Sequence, residues 1–398
     1  MIGPSMKKFG LSMKKFVCLA AGMLLTTVYL FAQPGAGGLS GTVFDSAGRK
    51  PIAGVSVFLN STSIGTITHA DGSFVLDYIP KGKYQLIISA IGYQTFVTDI
   101  SGNQPHPAMQ VVLHPKATEL EAFTVEPWLK DGWQRWGQVF LESFIGKGEN
   151  AGSCRIKNKD AVRFHFSRKN NQLTVTATEP LIIENDALGY TIEYRLVEFS
   201  CNFRTGIVMY FGYPFFREMT TKREARRHRW EEHRQTAYSG SMMHFMRSLY
   251  SNRLTEAGFT ADHQARVPNL EKQRIKSIYH PDIDSGNTFP IDTLHYFWEV
   301  LKQPDVFSRT VRLTADSLIT VYPDQTRSLF FTGKMRIIYS DPKSGGGYHG
   351  SEVYLITPAM IMVEENGNYY PPQEILTNGY WGESEKVSNL LPMDYGNH

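Results

Sequence analysis

Between residues 39 and 113, seven short runs rich in β-branched and aromatic residues alternate with turn signals. This spacing limits what the chain can fold into more than any other feature. The runs are LSGTVF (39–44), GVSVFLN (54–60), GTIT (65–68), SFVLDY (73–78), KYQLIISA (83–90), QTFVTDI (94–100) and MQVVL (109–113). Short strands renewed about every 8–12 residues predict a small seven-stranded β-sandwich. Asp71-Gly72 suits a tight hairpin, and Pro80-Lys81-Gly82 and Gly92-Tyr93 mark further turns. In the second run Val55, Val57 and Leu59 alternate with Ser56, Phe58 and Asn60, so one face is buried. Phe58 is the one apolar residue on the other face.

The order of these pieces resembles a known module. Gly41-Thr42-Val43, Asp45, Gly48, Pro51-Ile52, Gly54-Val55, Gly65-Thr66, Asp71-Gly72-Ser73-Phe74, Ile79-Pro80, Gly82, Tyr84 and Ile91-Gly92-Tyr93 carry the likeness. Residues 38–115 resemble the carboxypeptidase-regulatory-like, prealbumin-like domain found in envelope proteins of Bacteroidetes, including TonB-dependent receptors. The resemblance implies a β-sandwich accessory module and no chemistry of its own, since fold identity alone does not give function. His69 stands where that family usually has Asp. FIGKGENAGSC, EPLIIENDALGYTIEYRLVEF and AYSGSMMHFMRSLYSNRLTEAGF are similar to segments of uncharacterised Bacteroidetes proteins that carry the same module, and imply no activity.

The N-terminus reads as an export signal. Lys7, Lys8, Lys14 and Lys15 precede an uncharged apolar run at 16–31, with a cleavage point after Ala32. The run is shorter than the roughly 20 residues that a membrane-spanning helix needs, so no transmembrane helix is expected after cleavage. Cys18 lies inside this run and is read as part of it. Removing residues 1–32 takes four of the 41 Lys and Arg and none of the 38 Asp and Glu, leaving 37 bases against 38 acids. A nearly neutral remainder offers no global electrostatic case for nucleic acid. Two cysteines remain, Cys154 and Cys201. In an oxidising compartment an even pair is compatible with one disulfide, and equally with two buried thiols.

Residues 116–126 read as a linker and 127–398 as a larger β-rich α+β domain with a helical insert. Trp133, Trp136, Phe140 and Phe144 recur at helical spacing within 127–146, which predicts a buried stripe. Strand-like runs follow at 161–166, 172–178, 181–184, 189–199 and 206–212, then a charged helix over 218–236 and a second helix over 238–255. After residue 270 strand patterns return at 317–323, 328–340 and 352–365, so the helices are expected to cluster in the middle.

Motifs for chemistry are weak. His228-Arg-Trp-Glu231 with His349 downstream has zinc carboxypeptidase spacing, but it lies in the charged run RREARRHRWEEHR, not after a strand. Ser340-Asp341-Pro342-Lys343 follows a strand, whereas a serine–lysine pair needs a helix to share one face. The charged helix balances a surface for anionic lipid or glycan against a solvated face laced with pairs such as Arg227–Glu231. In AYSGSMMHFMRSLYSNRL, Ser241 can cap a helix and Phe245 can face a sheet, while His244 and Arg247 lie three apart and share a face. These four residues form the candidate structural or interaction hub. The expectation is a non-catalytic, exported protein of the periplasm or outer membrane, with no cofactor and no metal. Its partner would be an envelope protein or a glycan. The alternatives are an exported hydrolase with a hidden site and an outer-membrane barrel component.

Overall fold

The computed structural model describes residues 37–116, 128–280, 289–341 and 348–396. The expected signal at 1–32 and nearly all of the expected linker at 116–126 lie outside the described residues.

All seven expected strands form: β1 Leu39–Asp45, β2 Ser56–Leu59, β3 Gly65–Ile67, β4 Ser73–Leu76, β5 Lys83–Ser89, β6 Phe96–Ser101 and β7 Met109–Leu113. They make two sheets, ordered β4-β1-β7 and β3-β2-β5-β6. Strand alternation sends Val55, Val57, Leu59, Leu86 and Ile88 into the space between them, against Val43, Phe74 and Val111. Tyr84 is buried in the same core. Asp71-Gly72 does form a tight turn, with the Gly72 N–H donating to the His69 carbonyl at 3.0 Å and Gly72 at φ +74°. It does not close a hairpin within one sheet, however. β3 pairs with β2 and β4 pairs with β1, so this turn carries the chain from one sheet to the other.

The second domain begins with helix α1 (Gly132–Phe144), which packs on β9 (Val162–Ser167). Phe140 and Phe144 are fully buried and stack at 5.1 Å, with Phe199 edge-on to Phe140 at 5.0 Å and Tyr194 edge-on to Phe144 at 4.9 Å. Trp133 and Trp136 flank this core and stay partly exposed. The sheet beneath runs β8-β11-β12-β10-β9, with β13 on the outer side of β12. Its strands are β8 Cys154–Ile156, β10 Gln172–Ala177, β11 Leu181–Asn185, β12 Tyr190–Asn202 and β13 Val208–Glu218. The β12–β13 ladder is antiparallel, with one bulge at Val197, between the pairs Leu196–Gly212 and Glu198–Phe211.

The charged helix α2 runs over Glu224–Tyr238, starting later than expected because Phe215–Glu218 continue β13. Helix α3 (Met242–Tyr250) follows, shorter than the expected 238–255. Beyond it lie β14 Phe259–Pro268, α4 Leu270–Ile278, α5 Ile291–Lys302 and β15 Val306–Leu313. These helices correct the expectation that only strands follow residue 270. Their apolar residues are sparse, and Ile275, Tyr279, Phe297 and Val300 pack only with each other and a few neighbours, as a small satellite core. The remaining elements are α6 Ala315–Leu318, β16 Ile319–Val321, β17 Arg327–Leu329, β18 Lys334–Ser340, β19 Tyr348–Leu355, β20 Ile361–Val363, β21 Tyr369–Tyr370, β22 Ile375–Gly379 and α7 Tyr380–Ser384. They build a sheet ordered β15-β14-β18-β19-β22 and a smaller one ordered β16-β17-β20-β21. The described strands thus form open sheets, and none of these closes into a barrel.

The β-sandwich is not hung on a free tether. Phe58 and Ile87, the apolar residues on the outer face of their strands, are buried against Phe215 of β13. The Phe58 and Phe215 rings lie 5.1 Å apart, and the Arg195 guanidinium lies 5.4 Å from the Phe58 ring centre. Backbone bonds join the domains as well. Ser61 N–H donates to the Pro214 carbonyl at 2.8 Å, Phe216 N–H to the Thr62 carbonyl at 3.0 Å, and Met393 N–H to the Ser61 carbonyl at 2.7 Å. Ser63 adds bonds to the Asp394 carboxylate through its N–H and hydroxyl. Gly65 is needed here, because a Cβ on it would lie 2.7 Å from both the Phe215 ring and Phe58 Cβ.

Limited proteolysis should cut first within 116–126, and the two pieces should then co-elute on size exclusion. Phe215→Ala should cost about 3–5 kcal/mol, the range for emptying a buried ring site, and let the nicked pieces separate. Separation of the unmutated pieces would refute the interface.

Candidate functional site

The hub residues come together where α2 hands over to α3. Gly240, at φ +78°, reverses the chain, and a Cβ there would meet the Tyr339 ring at 2.5 Å. The Ser241 hydroxyl accepts from the His244 N–H at 3.1 Å and so caps α3. Met242, Phe245, Met246 and Leu249 enter the core around β14 and β18, while Met243 enters the core around α1 and β12. One short helix therefore joins two cores. Phe245 is buried edge-on to Phe259 and to Trp381, each at 5.4 Å.

The polar pair on this helix is turned inward. His244 lies among Tyr238, Phe259 and Tyr339, with ring centres 4.7, 4.9 and 5.7 Å away. Its Nδ1 accepts the Gly240 N–H at 3.2 Å, so that nitrogen carries no proton. Burial first, and Arg247 second, push its pKa down to about 4. Arg247 donates to three carbonyls: Asn366 at 2.9 Å, Tyr395 at 2.9 Å and Met393 at 3.0 Å. It holds the C-terminal segment by its backbone. Both polar side chains are thus engaged inside the fold.

The structure does not bring Cys154 and Cys201 together, and both are free thiols. Cys154 pairs with Asn185, and Asn185 with Tyr190 at the start of β12. Cys201 sits eleven residues further along the same strand, on the order of 30 Å away at roughly 3.3 Å per residue. A disulfide needs Cα atoms within about 7 Å, so of the two readings left open by the sequence the structure has two separate thiols. Burial pushes the Cys154 thiol up to about 12.

His228 and Glu231 sit one turn apart on the exposed side of α2, 3.4 Å from each other, and His228 also meets Glu224 at 3.3 Å. His349 stacks on Tyr380 at 4.1 Å. Among the described residues no group of three His, Cys, Asp or Glu is placed to hold a metal. Ser340 ends β18, and Lys343 lies outside the described residues. Helix α2 carries the Arg227–Glu231 pair at 3.7 Å. It docks through Trp230, whose indole N–H donates to the Asp186 carbonyl at 2.8 Å. Arg234 docks beside it, donating to the Leu188 carbonyl at 2.7 Å, with its guanidinium 4.0 Å from the Tyr190 ring centre.

One site was missed by sequence reasoning. A cleft of about 580 Å³ opens between the start of β13 and the C-terminal segment around β22 and α7. Glu198, Glu383 and Glu385 line it, with Lys386. The Glu385 carboxylate accepts the Met242 N–H at 3.0 Å, at the first residue of α3, where helical N–H groups lack partners and negative charge is favoured. The Tyr210 hydroxyl donates to the Glu385 carbonyl at 3.0 Å. Burial nevertheless pushes the Glu385 carboxyl up to about 7, against the Met242 N–H and Lys386. The cleft can therefore hold a proton near neutrality and attract a cation. No motif in the sequence marks it, because its carboxylates come from β12 and from the chain's end.

Residues 39–125 match the family model described as the CarboxypepD_reg-like domain. This part of the chain carries that domain, reaching ten residues past the expected boundary at 115. No curated protein matches the chain.

Phe245→Ala should destabilise the protein by about 3–5 kcal/mol in chemical denaturation. His244→Ala should cost less, about 1–3 kcal/mol, for the Gly240 N–H left without an acceptor. Equal losses for the two would contradict the hub geometry. For Glu385 the pKa is raised in the folded chain from an ordinary 4.5 to about 7. Between those values the unfolded chain has lost a proton that the folded chain keeps, so stability falls as pH rises through the window. Glu385→Gln keeps an acceptor for Met242 without the charge. It should match the parent at pH 4 and exceed it at pH 8 by on the order of 1–3 kcal/mol. A variant less stable than the parent at pH 8 would sink this assignment.

Proposed function

We propose that this chain is a non-catalytic, exported protein of the cell envelope, periplasmic or outer-membrane-associated, that works by binding or scaffolding an envelope protein or glycan. The observation that carries this reading is the strand-edge docking of the β-sandwich on the second domain, through Ser61, Thr62, Pro214 and Phe216. An accessory module fixed in this way presents one composite surface to a partner. The engagement of the polar hub supports it too, since His244 and Arg247 are committed to backbone groups. The basic leader with its apolar run supports export.

A hydrolase is the second reading. It is favoured by one observation, the Glu385 carboxyl raised to about 7 in a cleft shared with Glu198 and Glu383.

Crosslinking in intact native cells, followed by capture of the tagged chain and mass spectrometry, should yield a stoichiometric envelope partner. Deleting residues 1–32 should abolish that crosslink. If no partner is captured, and purified protein hydrolyses a glycoside or ester substrate in a manner lost in Glu385→Gln, the hydrolase reading replaces the binding one.

A further inference from the structure

The edge of β13 is used at one end and open at the other. Antiparallel pairing turns the backbone groups of alternate residues toward β12 and those between them outward. The Pro214 carbonyl and the Phe216 N–H point outward, because they bond Ser61 and Thr62 of the β-sandwich. The bulge in the ladder lies on β12, so the alternation along β13 is unbroken. Val208, Tyr210 and Gly212 therefore also turn their backbone groups outward. Among the described residues no strand pairs with this part of the edge.

That open run faces the cleft. Residues 207–211 and residues 375–379 of β22 both line it. β22 is itself an edge strand, bonded only to β19 among the described strands. Two edge strands thus line one groove. Ile207 and Met209 offer apolar side chains there, 39% and 38% exposed. The charges of the groove are the carboxylates Glu198 and Glu383, with Glu385 partly protonated near neutrality, against Lys386. An unpaired edge of this kind accepts an added strand, with main-chain bonds giving affinity and alternate side chains giving specificity.

We propose that residues 208–211 receive an extended segment of a partner protein, with alternating apolar and basic residues, as a strand added to β13. The groove continues an interface the chain already uses, since Ser61–Thr62 occupy the same edge at Pro214–Phe216. Its acidic lining selects Lys or Arg on the incoming strand. This inference rests on the binding reading and names the chemistry of the partner.

The probe is an end-blocked, fluorescein-labelled nonapeptide of alternating lysine and valine, titrated into the purified chain and read by anisotropy. Saturable binding is expected. It should be at least tenfold weaker with glutamate in place of lysine, and at least tenfold weaker with alternate backbone amides methylated. Val208→Pro removes one outward N–H and no bond to β12; it also trims a side chain packed on the main core, so binding should weaken tenfold while circular dichroism shows the fold retained. Glu198→Lys with Glu383→Lys should reverse the preference between the lysine and glutamate peptides. Equal binding of the methylated peptide, or indifference to the charge reversal, would overturn the proposal. So would a concentration-dependent dimer that the peptide displaces, because a second copy would then be the occupant. If these tests fail while the envelope crosslink persists, the strand site is wrong and the binding reading stands; if the crosslink is also absent, the reading itself falls.

Discussion

The β12–β13 ladder is the constraint on which the other parts depend. Its inner side supplies Ile192, Tyr194 and Phe199 to the main core, where the aromatic face of α1 packs. Its outer edge takes the β-sandwich through backbone bonds that involve no side chain. Its far end forms one wall of the cleft. Placing all three on one long strand pair fixes their spacing, because strand geometry leaves little freedom along the ladder. Shifting β13 by one residue would exchange its two faces and turn the wrong backbone groups toward Thr62.

Helix α3 plays the corresponding part among the side chains. It has nine residues, too few to be stable alone, and it is held by what it buries. Both its entry and one of its faces are stitched to distant sequence. Glu385 and Ser241 satisfy N–H groups at its start, and Arg247 binds three carbonyls near the C-terminus and the Asn366 turn. The C-terminal segment is thereby part of the core's architecture. It also reaches the β-sandwich, through Met393 and Asp394. Arg247, Met393 and Ser61 form a chain of contacts that links the central helix to the N-terminal domain.

Much of the fold was legible. The period-two alternation and turn residues of 39–113 placed seven strands within two residues of where they form, because most of these strands send alternate side chains into one core. The helical stripe of α1 and the Ser241 cap were also readable, being local signals. What escaped was set by distant partners. Helices α4 and α5 have a thin apolar face that serves only their own small core. Whether the cysteines meet was left open by the sequence, and one long strand holds them apart. The cleft is built by residues almost two hundred positions apart. Phe58 is the instructive case. It broke the alternation of its strand, and that irregularity was the trace of the domain interface.

Pro214 adds a restriction of a different kind. It is the residue of β13 at which bonding to the β-sandwich begins, through its carbonyl, and it has no N–H to offer the open run before it. A foreign strand growing along this edge would meet a missing donor and then a position already filled. Strand addition is therefore confined to a few residues, and the edge cannot template the long, uninterrupted pairing from which sheet polymers grow. The same residue that ends the open run protects a long β-strand from indiscriminate self-association.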